Sequence, residues 1–521
     1  MKVMSGLDAR FLYSETRSAH MHTMKVIVVD IEGRTGPLSP DALLAAVGDR
    51  LRRMPVLRRR VVPAPYGLGN PVMIDDPEFD LTRHIKHLKA NAPGDQRELD
   101  MVVATIAGTA LPQDRPLWEL TVIDGLAEGR VGFAMKIHHA LADGVAAVSM
   151  LQNAFVVDED HAVVEEYEPR PLPTERELYR ATAASAARAV RTVPRVVSRT
   201  ISGARHARVV KRTITAPISR PFQGPRTPFN VALTPDRTFS GLEIPLHQLM
   251  DAKKATGVTL NATFLALCGG GIRRYLTRMG ALPTHTLVAS VPMATRTDRH
   301  RLGGNHVDNL FLPIRTDVAD PLERALAIHE SAVAARAVRE EFGPDLFEWR
   351  SGLVPAGLHG LVPKMWGATG LADRLRPPLN LIASCVRGPG HRLEVDGDAF
   401  RLALPPGPYL VRRTSGSSAA ERTVLIGPGA TVAIAPVDLA LVPFRHAVRK
   451  GYGQAERAAW SWGLAIDTSG PILEGIGLNI TAWSYVDTMY VSVLGCAASL
   501  PDPWLLTADL EAEADSWSSL V

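Results

Sequence analysis

The chain has little of several things that would narrow its function at once. Across 521 residues it carries three cysteines, Cys268, Cys385 and Cys496, far apart and with no CxxC spacing. Neither a disulfide framework nor a cysteine zinc site can be built from an odd, scattered set, and a reducing compartment is expected. An excess of one charge is also missing. The 58 Lys and Arg stand against 54 Asp and Glu for a net charge of +4. The two signs are interleaved over most of the length, so no nucleic-acid partner is expected. The opening MKVMSGLDARFLYSETRS has no apolar core and no small-residue cleavage site, and a secretory signal is not expected. The most apolar long run, residues 423–444, is interrupted by glycine turns, prolines and Asp438, too broken to span a bilayer. Membrane contact, where there is any, should then be peripheral. No glycine-rich phosphate loop is present.

What is present is an ordinary globular composition, 46% hydrophobic and 21% charged, with length for two domains. Residues 24–33 pattern as a strand. Residues 39–55 pattern as a helix with Ser39 as cap, Pro40 at its first position, apolar Leu43, Leu44 and Val47, and a stop at Pro55. Residues 118–123 and 131–137 pattern as a hairpin. Residues 171–224 change character. They are rich in Ala and Arg, with Arg188, Arg191, Arg195 and Arg199 at three- and four-residue steps that line one helical face, bent near Pro194. A solvated linker helix and a surface for anionic lipid or substrate phosphates both fit that pattern. Beyond residue 225 come a helix, a turn at Gly257, a buried helix beginning near Asn261, a strand, and a hairpin turning near Asp487. The alternation predicts an α/β or α+β fold in two domains, 1–170 and 225–521, joined by the basic helix.

The stretch MKIHHALADGVAAVSM places His138 and His139 where an apolar strand gives way to a helix, with Asp143 and Gly144 at the turn. Three readings are open for the pair. They could be hydrogen-bonded structural histidines. They could contribute, with Asp143, to a metal site, although no third ligand follows at helical or short-loop spacing. Or His139 could be a general base, since a neutral imidazole accepts a proton from a hydroxyl or thiol near physiological pH.

His138, His139, Asp143 and Gly144 spell HHxxxDG, and the chain resembles the bacterial wax ester synthase/diacylglycerol acyltransferase family of the CoA-dependent acyltransferase superfamily. The resemblance runs in order along the chain. It is carried by SGLDARFLYSETRSAHMHTM near the start, RPLWEL at 115–120, PRTPFN at 225–230, SVPMATR at 290–296 with GGN at 303–305, and PILEGIGLNITAWSY at 471–485. It implies two chloramphenicol-acetyltransferase-like domains forming a pseudo-dimer around a central substrate channel. It also implies a donor, acyl-CoA, used as substrate with no cofactor and no metal, and an acceptor, diacylglycerol or a long-chain alcohol. His139 would be the base, His138 a support for its loop, Asp143 a structural residue paired with an arginine such as Arg296, and Gly144 a point of access. Pro116, Leu117 and Trp118 would shape the acyl tunnel, with plain strand core as the other reading of Trp118. Asn261 would belong to the substrate side. A cytoplasmic location follows, at the inner membrane face or on lipid droplets.

Two motifs depart from the family pattern. Ala262 follows Asn261 where an acidic residue is usual, removing a capping or loop-fixing group. SCVRGP stands at 384–389 in place of Ser-Asn-Val-Pro-Gly-Pro. Residues of about 398–470 match nothing in the family and read as an insertion, or as a stretch of altered reading frame. A carrier-protein-dependent acyltransferase and a catalytically silent lipid-binding homologue are the rival functions.

Overall fold

The computed structural model describes residues 1–29, 53–67, 69–144, 171–294, 303–343, 346–354, 356–388, 465–485 and 487–518. It adds isolated positions between 44 and 51 and between 146 and 169, and short strands between 401 and 433. Of the helix expected over 39–55, residues 44, 47, 48, 50 and 51 are helical, while Ser39, Pro40 and Leu43 lie outside the described residues.

Two sheets organise the molecule. The first runs in the order Ala465–Ser469, His22–Val29, Val131–His138, Trp118–Asp124 and Ile85–Lys89. The expected hairpin is there, Trp118 opposite Ile137 and Ile123 opposite Gly132. On one face lies the helix Gln96–Gly108, capped by Asp95, whose Leu99, Val103 and Ile106 recur at helical spacing and are buried with Met24, Val26 and Ala134. The other face buries Leu117, Trp118 and Ile137 beneath Leu141, Ala146 and Met150.

The second sheet has the order Val307–Pro313, Val288–Ala294, Leu381–Arg387, Leu478–Tyr485, Thr488–Cys496 and Arg237–Pro245. Its hairpin Leu478–Tyr485/Thr488–Cys496 pairs Leu478 with Gly495 and Tyr485 with Thr488, as the sequence pattern predicts. Against it packs the helix Leu260–Arg278, buried along most of its length, beside the C-terminal helix Pro503–Ser518. Gly269, Gly270 and Gly271 interrupt this helix despite a helix-interior penalty of roughly 1 kcal/mol each relative to alanine. Space explains them: a Cβ at Gly270 would lie 2.2 Å from both Arg324 Nη1 and Glu513 Cδ, and one at Gly271 2.5 Å from Leu510. The buried Arg324–Glu513 ion pair, 2.6 Å, occupies the room the side chains vacate.

Three expectations need correction. The helix begins near Asn261 as expected, at Leu260, and is capped by Thr259, whose hydroxyl accepts from Ala262 N at 3.2 Å. The missing acidic residue at 262 therefore removes no capping group, and Ala262 is buried core. The strand Ala465–Ser469, assigned to the insertion from sequence, pairs antiparallel with His22–Val29 and forms an edge of the first sheet. The chain thus leaves the second sheet after Arg387 and returns on the first, so a division at 225 does not separate the two halves cleanly. Within the insertion the described residues include a hairpin, Gly407–Ser415 with Ser418–Ile426.

The basic segment is one helix, Glu175–Thr213, with Pro194 inside it and a capping box from Thr174 and Glu177. It bridges the halves. Near its start, Tyr179 lies 6.4 Å from Tyr66 of the first half; further on, Gly203 sits against Phe342 of the second.

Candidate active site

His139 follows directly on the strand Val131–His138, and its backbone N–H donates to Met21 O at 2.7 Å, holding the loop to the end of the neighbouring strand. The residue is half-buried, and its ring stacks on Phe11 at 4.0 Å between centroids. Imidazole Nδ1 meets Asn305 Oδ1 at 2.9 Å. Asn305 Nδ2 donates to Asp8 Oδ1 and to His139 O, both at 2.8 Å. With Nδ2 spent on two acceptors, Oδ1 faces the ring, so Nδ1 carries the proton and Nε2 the lone pair. Burial pushes the His139 pKa down to about 4, against the opposing pull of Asp143, and keeps the ring neutral at neutral pH. Asp8, in the N-terminal helix Gly6–Ser14, also accepts from Ser5 Oγ at 2.8 Å, and burial raises its pKa.

Asp143 is buried. Its Oδ1 accepts from Ala146 N and its Oδ2 from His306 N, each at 2.9 Å. One oxygen caps the helix that follows; the other ties the turn to the second half. Both are taken by backbone N–H groups and His139 Nδ1 by Asn305, an arrangement that leaves the pair unsuited to share a metal. The strap Gly303–His306 adds Gly304 N to Leu141 O at 2.7 Å and Asp143 N to Gly304 O at 3.2 Å. Gly304 bends at φ +77°, a conformation that favours glycine. Lys25, buried on the strand His22–Val29, supplies positive charge towards Asp143, and burial lowers its own pKa to about 8. Arg296, the expected partner of Asp143, lies outside the described residues.

His138 points the opposite way and is buried, its Nδ1 accepting from Ala140 N at 3.0 Å and its Nε2 lying 3.6 Å from Glu15 Oε2. Beneath the turn sit Pro116, Leu117 and Trp118. Leu117 O accepts from His138 N at 2.9 Å, and Trp118, stacked on His84, donates from Nε1 to Leu57 O at 2.6 Å. Trp118 is 1% exposed, so core is the reading the structure supports for it: these residues prop the turn from below. Gly144 meets the second half: a Cβ there would lie 3.3 Å from Val386 Cγ2. Asn261 is half-buried in the first turn of another helix, Leu260–Arg278.

Asp8, Asn305 and Lys25 were not singled out from the sequence as site residues. The first two stood inside quoted signature stretches, SGLDA and GGN, and Lys25 is a charged break in the apolar run MKVIVVD.

Residues 4–264 match the profile of the wax ester synthase/diacylglycerol acyltransferase catalytic domain, and residues 465–516 that of the WS/DGAT C-terminal domain. A protein of Mycobacterium tuberculosis H37Rv, provisionally named a diacylglycerol O-acyltransferase, is 31% identical over 98% of this chain and 95% of its own. A second such protein of that strain is 34% identical over 66% of this chain and 73% of its own. Among solved structures, the wax ester synthase/diacylglycerol acyltransferase from Marinobacter aquaeolei VT8 superposes with a TM-score of 0.58 at 21% identity, covering 99% of this chain and 98% of that one. The first condensation domain of the calcium-dependent antibiotic synthetase superposes with a TM-score of 0.51 at 15% identity, over 99% and 97%. Both likenesses are of fold.

Proposed function

The chain belongs to the wax ester synthase/diacylglycerol acyltransferase family, and from that premise we propose that it moves a fatty acyl group from acyl-CoA to the hydroxyl of diacylglycerol, with long-chain alcohols as a second class of acceptor. The observation that carries this reading is the Asp8–Asn305–His139 chain, which fixes a neutral imidazole with its lone pair on Nε2.

His139 Nε2 takes the proton of the acceptor hydroxyl as the oxygen attacks the thioester carbonyl. The tetrahedral intermediate collapses with cleavage of the C–S bond, and the same nitrogen returns the proton to the departing CoA thiolate. The proton count closes within one turnover, with no covalent acyl-enzyme and no prosthetic group. Asp143 acts by holding the turn between the two halves and does not touch the reacting atoms. An intact base, tautomer lock and strap support turnover over a silent lipid-binding role. The family profile at both ends supports a CoA donor over a carrier protein.

Among the described residues no single helix is long and apolar enough to cross a membrane. Since the acceptors are lipids, contact with a membrane or droplet surface would be peripheral. Purified protein supplied with labelled palmitoyl-CoA and either dioleoylglycerol or hexadecanol should form the corresponding ester, and folded His139→Ala should not. No ester with either acceptor would refute the proposal, and the product ratio would name the preferred acceptor.

A further inference from the structure

At the midpoint of the helix Glu175–Thr213 an open cleft of about 420 Å³ is lined by Pro194, Arg195, Ser198, Arg199 and Trp349. Trp349 belongs to the helix Leu346–Leu353, whose Gly352 abuts Gly6 at the start of the helix that carries Asp8 and Phe11. Glu348, one residue before it, lies 3.9 Å from His306 of the strap. Two packed helices, Leu346–Leu353 and Gly6–Ser14, thus connect the cleft to the surroundings of His139.

We infer that this cleft binds the phosphorylated adenosine end of the acyl-CoA donor, its arginines holding phosphate and Trp349 stacking on the purine. The inference rests on the acyl-CoA reading given above. Arg195 and Arg199 are one helical turn apart, exposed, and free of ion pairs among the described residues. Two unneutralised guanidinium groups beside a half-buried indole make a poor resting surface and a good receptor for a polyanion with an aromatic base. Ser198 adds a hydroxyl between them. An anionic bilayer is the competing source of phosphate; Trp349, supplied to the cleft by a separate helix, argues for the nucleotide, and release from vesicles separates the two.

The test compares two donors, palmitoyl-CoA and palmitoyl-pantetheine, which lacks the nucleotide. In Arg195→Glu/Arg199→Glu and in Trp349→Ala, the KM for palmitoyl-CoA should rise by about tenfold or more with kcat little changed, while the ratio of the two donors' kcat/KM collapses toward one. Adenosine 3′,5′-bisphosphate, titrated calorimetrically into the full chain, should bind the wild type and not the double variant. An equal loss with both donors, no loss with either, or no binding of the bisphosphate by the wild type at millimolar concentration overturns the assignment. So does a double variant that releases from phosphatidylglycerol vesicles while its KM for palmitoyl-CoA holds, which would make the arginines a lipid contact. Should the wild type turn over neither donor, the acyltransferase reading fails by itself, and the bisphosphate titration still decides the cleft.

Discussion

Asn305→Ala removes three hydrogen bonds at once, to His139 Nδ1, His139 O and Asp8 Oδ1, of 2.8–2.9 Å. Each is worth about 1 kcal/mol net, and more where a buried partner is left unsatisfied. Two of them act directly on the base, one on its tautomer and one on the loop that carries it. Their loss is expected to raise the barrier by about 2–3 kcal/mol, which is roughly 30- to 150-fold in kcat/KM. The Met21 O and Asp143 contacts stay, so the fold should survive the change. The pH profile gives a sharper readout. A base held near pKa 4 is neutral above that value and protonated below it, so the acid limb of kcat/KM in the wild type should lie near 4 and well under the ordinary histidine value. Asn305→Asp puts a carboxylate against Nδ1–H, favours the imidazolium and should move the limb upward. Activity would be followed as CoA release across that range with dioleoylglycerol as acceptor. If Asn305→Ala stays within about twofold of wild type, or the limb does not move in Asn305→Asp, the tautomer-lock argument fails.

Other expectations follow from the same geometry. Asp143→Ala uncaps the helix after it, frees His306 N and leaves Lys25 without its buried counter-charge; a loss of about 3–5 kcal/mol is expected in chemical denaturation. Asp143→Asn removes the charge, keeps one acceptor oxygen and turns an amide NH2 towards the other backbone N–H; it should lose less than Asp143→Ala, and an equal loss would show that the remaining hydrogen bond contributes nothing beside the charge. Trp118→Ala should destabilise by roughly 3–5 kcal/mol through cavity formation and the orphaned Leu57 carbonyl, whereas a tunnel-wall residue would change acyl-chain preference with little effect on the melting temperature. Gly270→Ala should be far worse than an ordinary helix Gly→Ala, which tends to stabilise, because the new methyl displaces the Arg324–Glu513 pair; a raised melting temperature would contradict that.

What the sequence made legible was local. HHxxxDG announces a strand end and a turn because polar residues break an apolar alternation there, and the hairpin over 478–496 is written in β-branched and aromatic residues with a turn between. What it hid was distant. His139 and Asn305 are 166 residues apart and Asn305 and Asp8 are 297 apart, so no period or spacing connects them. The capping role expected at 262 had a local pattern behind it too, and it gave way to the hydroxyl of Thr259. For Trp118, the partners Leu57 O and His84 belong to the core reading, one of the two its pattern left open. The edge strand Ala465–Ser469 was masked by the unfamiliar composition leading into it.

That edge strand and the Gly303–His306 strap also set a timetable. As the chain leaves the ribosome, the whole HHxxxDG motif is present by residue 144. The base is assigned its tautomer only after residue 305 has folded back onto it, and His22–Val29 stays an unpaired sheet edge until residue 469 arrives. A chain ending before residue 305 would carry the whole motif without the group that sets the tautomer of its base, and one ending before residue 465 would leave that sheet edge open.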